Sequence, residues 1–166
     1  MIVLGIDPGP ETHGAVVYDT ILRRVLWSSK AAPTWEVIAV AVEHNVGHTV
    51  IERPAAMGTI GSGIVGHMLD TAWEAGRLSS MLSGQGDTQT MTRREVLRHL
   101  GVLSGRGSAD SRVRAACIAD HETPGGPPAV GRKVSPGPLY GVSSHAWQAL
   151  GLVLAWLEMT KHTETT

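Results

Sequence analysis

The first seven residues, MIVLGID, constrain the fold more than any other part of the chain. Six apolar or glycine residues in a row, three of them β-branched, are typical of a strand covered on both faces in the centre of an α/β sheet. The run ends at Asp7, and Pro8, Gly9 and Pro10 then form a turn signal. A central strand that ends in a carboxylate predicts an α/β domain with a polar group at one edge of its sheet.

The rest of the chain alternates between strand-like and helix-like patterns. The expected strands are residues 1–7, 14–18, 21–27, 48–52 and 88–91. The expected helices are residues 35–44, 60–82, 93–100, 108–121 and 145–159. Thr92 and Glu95 have the spacing of a capping box at the start of the third helix. This order predicts an α/β domain that begins with a meander of strands.

Length and composition favour a single folded domain. With 166 residues, 42% hydrophobic and 17% charged, the chain is too apolar and too weakly charged to be disordered. We expect one domain over residues 1–160 and a frayed tail at residues 161–166. Residues 122–141 contain five prolines and five glycines, which predicts a mobile loop without regular structure.

Cysteine content and hydropathy exclude several classes of protein. Cys117 is the only cysteine, so the chain cannot form an intramolecular disulfide or a CxxC metal site. No apolar run approaches the ~18 residues that a membrane span needs. The N-terminal residues lack the basic leader and cleavage pattern of a signal peptide. A cytoplasmic protein without a membrane partner or a small-molecule cofactor is expected.

The net charge of −1 hides an uneven distribution. Residues 1–90 carry five basic and nine acidic side chains, whereas residues 91–133 carry eight basic and four acidic ones. Six of these eight are arginines between Arg93 and Arg114, namely Arg93, Arg94, Arg98, Arg106, Arg112 and Arg114. Clustered arginine favours nucleic-acid binding, because guanidinium groups make planar, bidentate contacts with phosphate oxygens. A solvated helix surface is the alternative interpretation.

Two carboxylates follow strands of the buried type. Asp7 ends the first strand, and Glu52 ends the strand at residues 48–52. Each of them alone is also explained as a structural residue, Asp7 as the start of a turn. Together, at the same edge of one sheet, they favour a site for Mg²⁺, a hard cation that prefers oxygen ligands.

Four segments of the chain resemble RuvC-type Holliday junction resolvases. IVLGIDPGPETHGAVV and VIERP, in which Glu52 lies 45 residues after Asp7, are similar to the first two active-site strands of that family. GRGSADSRVRAACIAD is similar to a loop and helix of the family, and SSHAWQALGLVLAW to its final helix, which carries an HxxDAL or DxxDAL signature. The resemblance covers nearly all of residues 1–158 and is nearest to phage-encoded members. It implies a ribonuclease-H-like α/β fold, a mixed five-stranded sheet with its first three strands antiparallel, flanked by helices.

The resemblance also implies an endonuclease that cleaves branched DNA by two-metal phosphodiester hydrolysis. Its four ligands would be Asp7, Glu52, His145 and Gln148, holding two Mg²⁺ or Mn²⁺ ions when substrate is bound. Gln148 departs from the pattern, since the family usually has an aspartate at this position. The amide keeps an oxygen donor but loses a charge. This departure raises the alternative of a junction-binding protein with weak or no cleavage activity.

Asp110 is a candidate for the missing catalytic carboxylate. It lies near the start of a predicted helix, so an N-cap is the alternative interpretation. Arginines before and after it are candidates to hold the scissile phosphate or to stabilise charge in the transition state. The candidate DNA-binding residues are Arg93, Arg94, Arg106, Arg112 and Arg114.

The symmetry of the implied substrate predicts a homodimer. Cutting two strands of a four-way junction symmetrically needs two active sites related by a two-fold axis. By its resemblance to the family, the glycine-rich segment 58–84 is expected to form the dimer and junction face.

Overall fold

The computed structural model describes residues 1–55 and 62–163 of the chain. The strands are β1 Ile2–Asp7, β2 His13–Asp19, β3 Arg24–Ala32, β4 His48–Glu52, β5 Asp87–Met91, β6 Gly131–Arg132 and β7 Ser135–Pro136. The helices are α1 Thr34–Glu43, α2 Ser62–Leu82, α3 Arg93–His99, α4 Ala109–His121 and α5 Ala146–Thr163. In this part of the chain, none of the helices has the length and hydropathy of a membrane span.

The main sheet has five strands in the order β3-β2-β1-β4-β5. β2 is antiparallel to both of its neighbours, whereas β4 is parallel to β1 and to β5. The predicted mixed sheet, with its first three strands antiparallel, is confirmed. Because β1 and β4 run in the same direction, their carboxyl ends meet at one edge, which is where open α/β sheets bind their ligands.

Helices cover both faces of this sheet. Successive side chains of β1 point to opposite faces, so that Val3 packs with the layer of α3, α4 and α5, and Leu4 with the layer of α1 and α2. Residues 146–156 of α5 are all buried, as expected for a helix that is apolar on every side. The first turn of α5 is therefore fixed to the centre of the domain.

α5 approaches β1 closely because Gly5 has no side chain. A Cβ at this position would lie 2.1 Å from the carbonyl oxygen of Ala149 and 2.8 Å from Cγ2 of Val153. Since the nearer neighbour is backbone, no rotamer change can relieve the contact. Gly5 thus sets the distance between the helix and the sheet.

Replacing Gly5 with valine is expected to destabilise the protein by about 3 kcal/mol or more, at or above the upper end of ordinary overpacking. Gly76→Ala in α2 is the control, since nothing lies within 4 Å of a Cβ there. It should raise stability by roughly 0.5–1 kcal/mol, the cost of glycine in a helix. Urea denaturation measures both variants. An unchanged midpoint for Gly5→Val would contradict the close packing of α5.

The third strand was predicted at residues 21–27, but it runs from Arg24 to Ala32. The carboxylate of Asp19 accepts hydrogen bonds from the backbone N–H groups of Ile21 and Leu22, at 2.9 and 3.1 Å. These bonds close a turn and leave both apolar side chains exposed. Turn chemistry at Asp19 therefore overrides the β-propensity of the residues after it.

Segment 122–141 is more regular than predicted. β6 and β7 form an antiparallel hairpin, and Gly131 enters it with a φ of +67°, in the left-handed region. The backbone N–H of Val25 in β3 donates to the carbonyl of Pro138 across 2.9 Å. This bond ties the segment to the edge of the main sheet.

Two helix ends were predicted with different success. Thr92 and Glu95 form the predicted capping box at the start of α3. The last helix was predicted to end at residue 159, but α5 continues to Thr163. Residues 164–166, and residues 58–61 of the predicted interface segment, lie outside the described part of the chain.

Candidate active site

Asp7 and Glu52 lie at the ends of neighbouring parallel strands. Ile6 pairs with Ile51 in the β1–β4 ladder, so the next residue of each strand lies at the same edge of the sheet. Both side chains are mostly buried, with 16% of Asp7 and 15% of Glu52 exposed. The structure brings the two predicted carboxylates together.

Burial makes both carboxylates harder to ionise. Desolvation raises the pKa of Asp7, opposed by its hydrogen bond with His145 and by the charge of Arg93. Desolvation likewise raises the pKa of Glu52 to about 7, opposed by Arg93 and reinforced by the negative charges of Asp7 and Asp110. Carboxylates in this situation favour any cation that enters the site.

His145 lies against Asp7 directly before α5. Its Nδ1–H donates to Asp7 Oδ2 across 3.0 Å, because a carboxylate only accepts. Ser144 has a φ of +46°, a left-handed conformation that is costly for a residue other than glycine. A Cβ on Gly14 would lie 2.5 Å from Cβ of His145. Backbone strain and a close contact therefore place this ring beside Asp7.

Gln148 occupies the first turn of α5, three residues after His145. Its side chain is buried, with 4% of the residue exposed, and its Oε1 atom has no hydrogen-bond partner. Both residues line a groove of about 550 Å³, together with Asp110 and Arg114. A buried amide oxygen without a partner is costly, so this atom is available to a donor or a cation.

Asp110 belongs to the same cluster but does not cap α4. The N-cap is Ser108, whose hydroxyl accepts from the N–H of Ser111 across 3.2 Å. Asp110 is instead free to pair with Arg93, whose Nη2 donates to its Oδ1. Arg93 Nη1 donates to Glu52 Oε2 across 3.1 Å, so that one guanidinium bridges two of the predicted catalytic carboxylates.

The donor set suits a hard divalent cation. Asp7, Glu52 and Gln148 supply carboxylate and amide oxygens, which Mg²⁺ prefers, and His145 adds a nitrogen that Mn²⁺ accepts more readily. Within residues 1–55 and 62–163, no three His, Cys, Asp or Glu side chains already converge as a metal site. The orphaned Gln148 Oε1 is the observation that supports a cation here.

The predicted DNA-binding arginines have different surroundings. Arg112 donates to the backbone carbonyls of residues 102, 103, 105 and 107, and so holds the loop between α3 and α4 in place. Arg114 lies over the ring of Trp147, at 5.5 Å from its centroid, in the groove beside Asp110. Arg106 is exposed in the loop, and Arg94 lines a second groove of about 950 Å³ with Glu52.

His13, the first residue of β2, is completely buried. The N–H of Gly9, two residues after Asp7, donates to its Nδ1 across 3.4 Å, and its Nε2–H donates to Oγ1 of Thr34 across 3.0 Å. Arg77 of α2 donates to the same hydroxyl, also at 3.0 Å. His13 therefore fixes the turn that follows Asp7.

Comparison with known proteins establishes the fold. The chain matches no family model and no curated protein. It is similar to the structure described as "T. thermophilus RuvC in complex with Holliday junction substrate", with 19% identity, a TM-score of 0.65, and coverage of 98% of this chain and 96% of that one. This chain has the RuvC fold. A second match, "Thermus thermophilus RuvC structure", has 18% identity and a TM-score of 0.50, and covers 98% of this chain and 97% of that one.

Sequence reasoning missed one feature of this RuvC-fold site. Arg93 was predicted only as a DNA-binding residue, and its ion pairs with Glu52 and Asp110 were not foreseen. Its place two residues after the end of β5, the strand beside β4, was the available signal. A basic residue directly after a strand next to Glu52 reaches the same edge of the sheet.

Proposed function

We propose that this protein is a metal-dependent endonuclease that cleaves branched DNA, with Holliday junctions as its substrate. The observation that carries the proposal is that Asp7 and Glu52 end neighbouring parallel strands of a RuvC fold, with His145 bonded to Asp7. The buried Oε1 of Gln148, which has no partner, lines a groove with the same His145. A similar structure is described as RuvC in complex with Holliday junction substrate. A labelled four-way junction incubated with the protein and Mg²⁺ or Mn²⁺ tests it. Uncut junction with both metals would contradict it.

In this proposal Asp7, Glu52, His145 and Gln148 hold two Mg²⁺ or Mn²⁺ ions once DNA is bound. Such ions would supply an activated water and stabilise the oxygen that leaves the phosphodiester. The His145 Nδ1–H bond orients Asp7, and His13 fixes the turn after it. Positioning of this kind is most of what phosphoryl transfer asks of a protein.

Two grooves flank the carboxylates and suit the path of a DNA strand. The groove of about 550 Å³ contains Asp110 and Arg114, and the groove of about 950 Å³ contains Glu52 and Arg94. Each groove thus combines an acidic residue of the cluster with an arginine for phosphate. Asp110 is also proposed to replace the missing fourth carboxylate.

Removing Arg106 or Arg114 is expected to weaken junction binding and to flatten its salt dependence by about one unit for each lost phosphate contact. Arg112→Ala should instead lower stability, since its donors hold loop carbonyls. Arg24→Ala, an exposed arginine on edge strand β3, is the control. Binding titrations over a range of salt concentrations measure the slopes. If the Arg106→Ala/Arg114→Ala protein keeps the wild-type slope, these arginines belong to a solvated surface.

A homodimer is proposed as the active form. α2 exposes Val65, Leu69 and Trp73 at four-residue spacing, with 41%, 64% and 74% of each residue exposed. A second copy of this chain would cover this stripe and supply the second active site that symmetric cleavage needs. Sedimentation equilibrium measures the oligomeric state, and a monomer at micromolar concentration would contradict it.

The second candidate function is junction binding with weak or no cleavage. Gln148 favours it, because a neutral amide stands where the resembling family has an aspartate. The same labelled junction separates the two functions, since this candidate predicts a stable complex and no product with either metal.

A phage-encoded origin and a cytoplasmic location remain predictions.

A further inference from the structure

Arg93 connects acidic residues from different parts of the fold. It follows β5 directly after Thr92, the cap of α3, and pairs with Glu52 of β4 and Asp110 of α4. Its positive charge also acts on Asp7 of β1. With 23% of its side chain exposed, Arg93 is too buried to be an ordinary surface cation. One guanidinium thus offsets negative charge from three elements.

The unpartnered oxygen of Gln148 is a second, independent observation, because it shows that Arg93 does not provide a donor for every buried acceptor of the site. Arg93 donates to Glu52 and Asp110, but no donor reaches Gln148 Oε1 in the described part of the chain. A cation that bound this oxygen together with the carboxylates would have to share Glu52 and Asp110 with the guanidinium.

We propose that Arg93 is a displaceable internal counterion that competes with a divalent metal ion for Glu52 and Asp110, and that couples metal binding to DNA binding. The inference rests on the metal site of the proposed function. Without metal, Arg93 limits the repulsion among the carboxylates. When an ion binds them, like charges repel the guanidinium, and its ion pairs with both carboxylates weaken.

A groove beside Arg93 offers the released guanidinium a second position. Arg93 lines the groove of about 950 Å³ together with Arg53 and Arg94. A DNA phosphate in this groove would give Arg93 a bidentate partner in exchange for the carboxylates. DNA therefore favours metal binding, and by linkage metal favours DNA binding to the same degree. Without DNA, the protein is expected to bind metal more weakly than the same ligands would if Arg93 were absent.

Metal titration of the full chain without DNA tests the inference. Calorimetry with Mg²⁺ and Mn²⁺ is expected to give about tenfold tighter binding for Arg93→Gln than for wild type, within the usual range of coupling between sites. Arg98→Gln removes one exposed positive charge from the same helix and should stay within about twofold of wild type. Arg93→Lys keeps the charge but cannot bridge two carboxylates with one planar fork, so its affinity should lie between the two.

A thermal melt with and without metal separates competition from simple structural support. Arg93→Gln should melt below wild type without metal and gain more from added Mg²⁺. The inference is overturned if Arg93→Gln binds metal as weakly as wild type or more weakly. In that case the proposed function still stands, provided that metal binding by wild type depends on Asp7. If wild type binds neither ion at millimolar concentration, with or without junction DNA, the proposed function fails as well. Should Arg93→Gln not fold, an Arg93→Lys protein with wild-type affinity overturns the inference.

Discussion

The Asp7→Asn variant is expected to lose junction cleavage by roughly two orders of magnitude or more, since metal ions contribute several kcal/mol to this chemistry. Asparagine keeps the size and one oxygen of the side chain but removes the charge that a divalent ion needs. Junction affinity should stay the same or rise slightly, because one negative charge facing the phosphates is lost. Cleavage rate and binding affinity are measured on the same labelled junction.

Asp87→Asn is the matched control for Asp7→Asn. Asp87 is exposed and is the first residue of β5, opposite His48 in the β4–β5 ladder. It therefore lies at the end of the parallel strands that is farthest from Asp7 and Glu52. The control should therefore cleave at the wild-type rate. An Asp7→Asn protein that also cleaves at this rate would remove Asp7 from the active site. A loss of both cleavage and binding would mean that Asp7 supports the local fold.

The two strand-end carboxylates were predictable because they depend on local pattern and one topological rule. An apolar run that ends in Asp7 and another that ends in Glu52 predict buried strands with polar ends. Parallel pairing then brings these ends to one edge, as the β1–β4 ladder does. His145 and Gln148 were implied only by the resemblance of the last helix to that of the family.

The partners of the arginines were not predictable from the same patterns. The side chains of Arg93 and Arg112 are both long and flexible. Arg93 reaches Glu52 and Asp110, which are 41 and 17 positions away in the sequence, whereas Arg112 reaches carbonyls of the neighbouring loop. Only the packing of α3 and α4 decides which oxygens meet each guanidinium. Arginine clustering predicts phosphate contacts equally for all of them, whereas the structure gives each one a different set of neighbours.

The exposed apolar residues before β3 illustrate the same limit. The apolar pattern assigned Ile21 to a strand, but hydrogen bonds from the backbone N–H groups of Ile21 and Leu22 to Asp19 hold it in a turn. Burial of a single side chain contributes about 1.5–3 kcal/mol, whereas a turn also sets the register of the whole following strand. The apolar pattern alone does not show whether burial of the side chain or formation of the turn contributes more to stability.

Gln148→Asp is expected to tighten metal binding by about tenfold or more, since a carboxylate adds a full charge to the ligand set, and tenfold corresponds to about 1.4 kcal/mol. Gln148 is buried and its Oε1 has no partner, so the new carboxylate would be unpaired without metal. Without metal the variant should therefore melt below wild type, and with millimolar Mg²⁺ it should recover more than wild type gains. Calorimetry and thermal melts measure the two effects.

Gln148→Asn separates charge from shape in this experiment. Asparagine has the size of aspartate but stays neutral, so it should bind metal no more tightly than wild type and should gain little stability from Mg²⁺. If both variants bind metal alike, the charge at position 148 does not matter. If the wild-type protein already binds two Mg²⁺ ions tightly without DNA, the amide is no handicap. In the expected case, wild type holds at most one ion until DNA supplies phosphate oxygens, because Asp7 and Glu52 alone carry the negative charge of the four-residue ligand set.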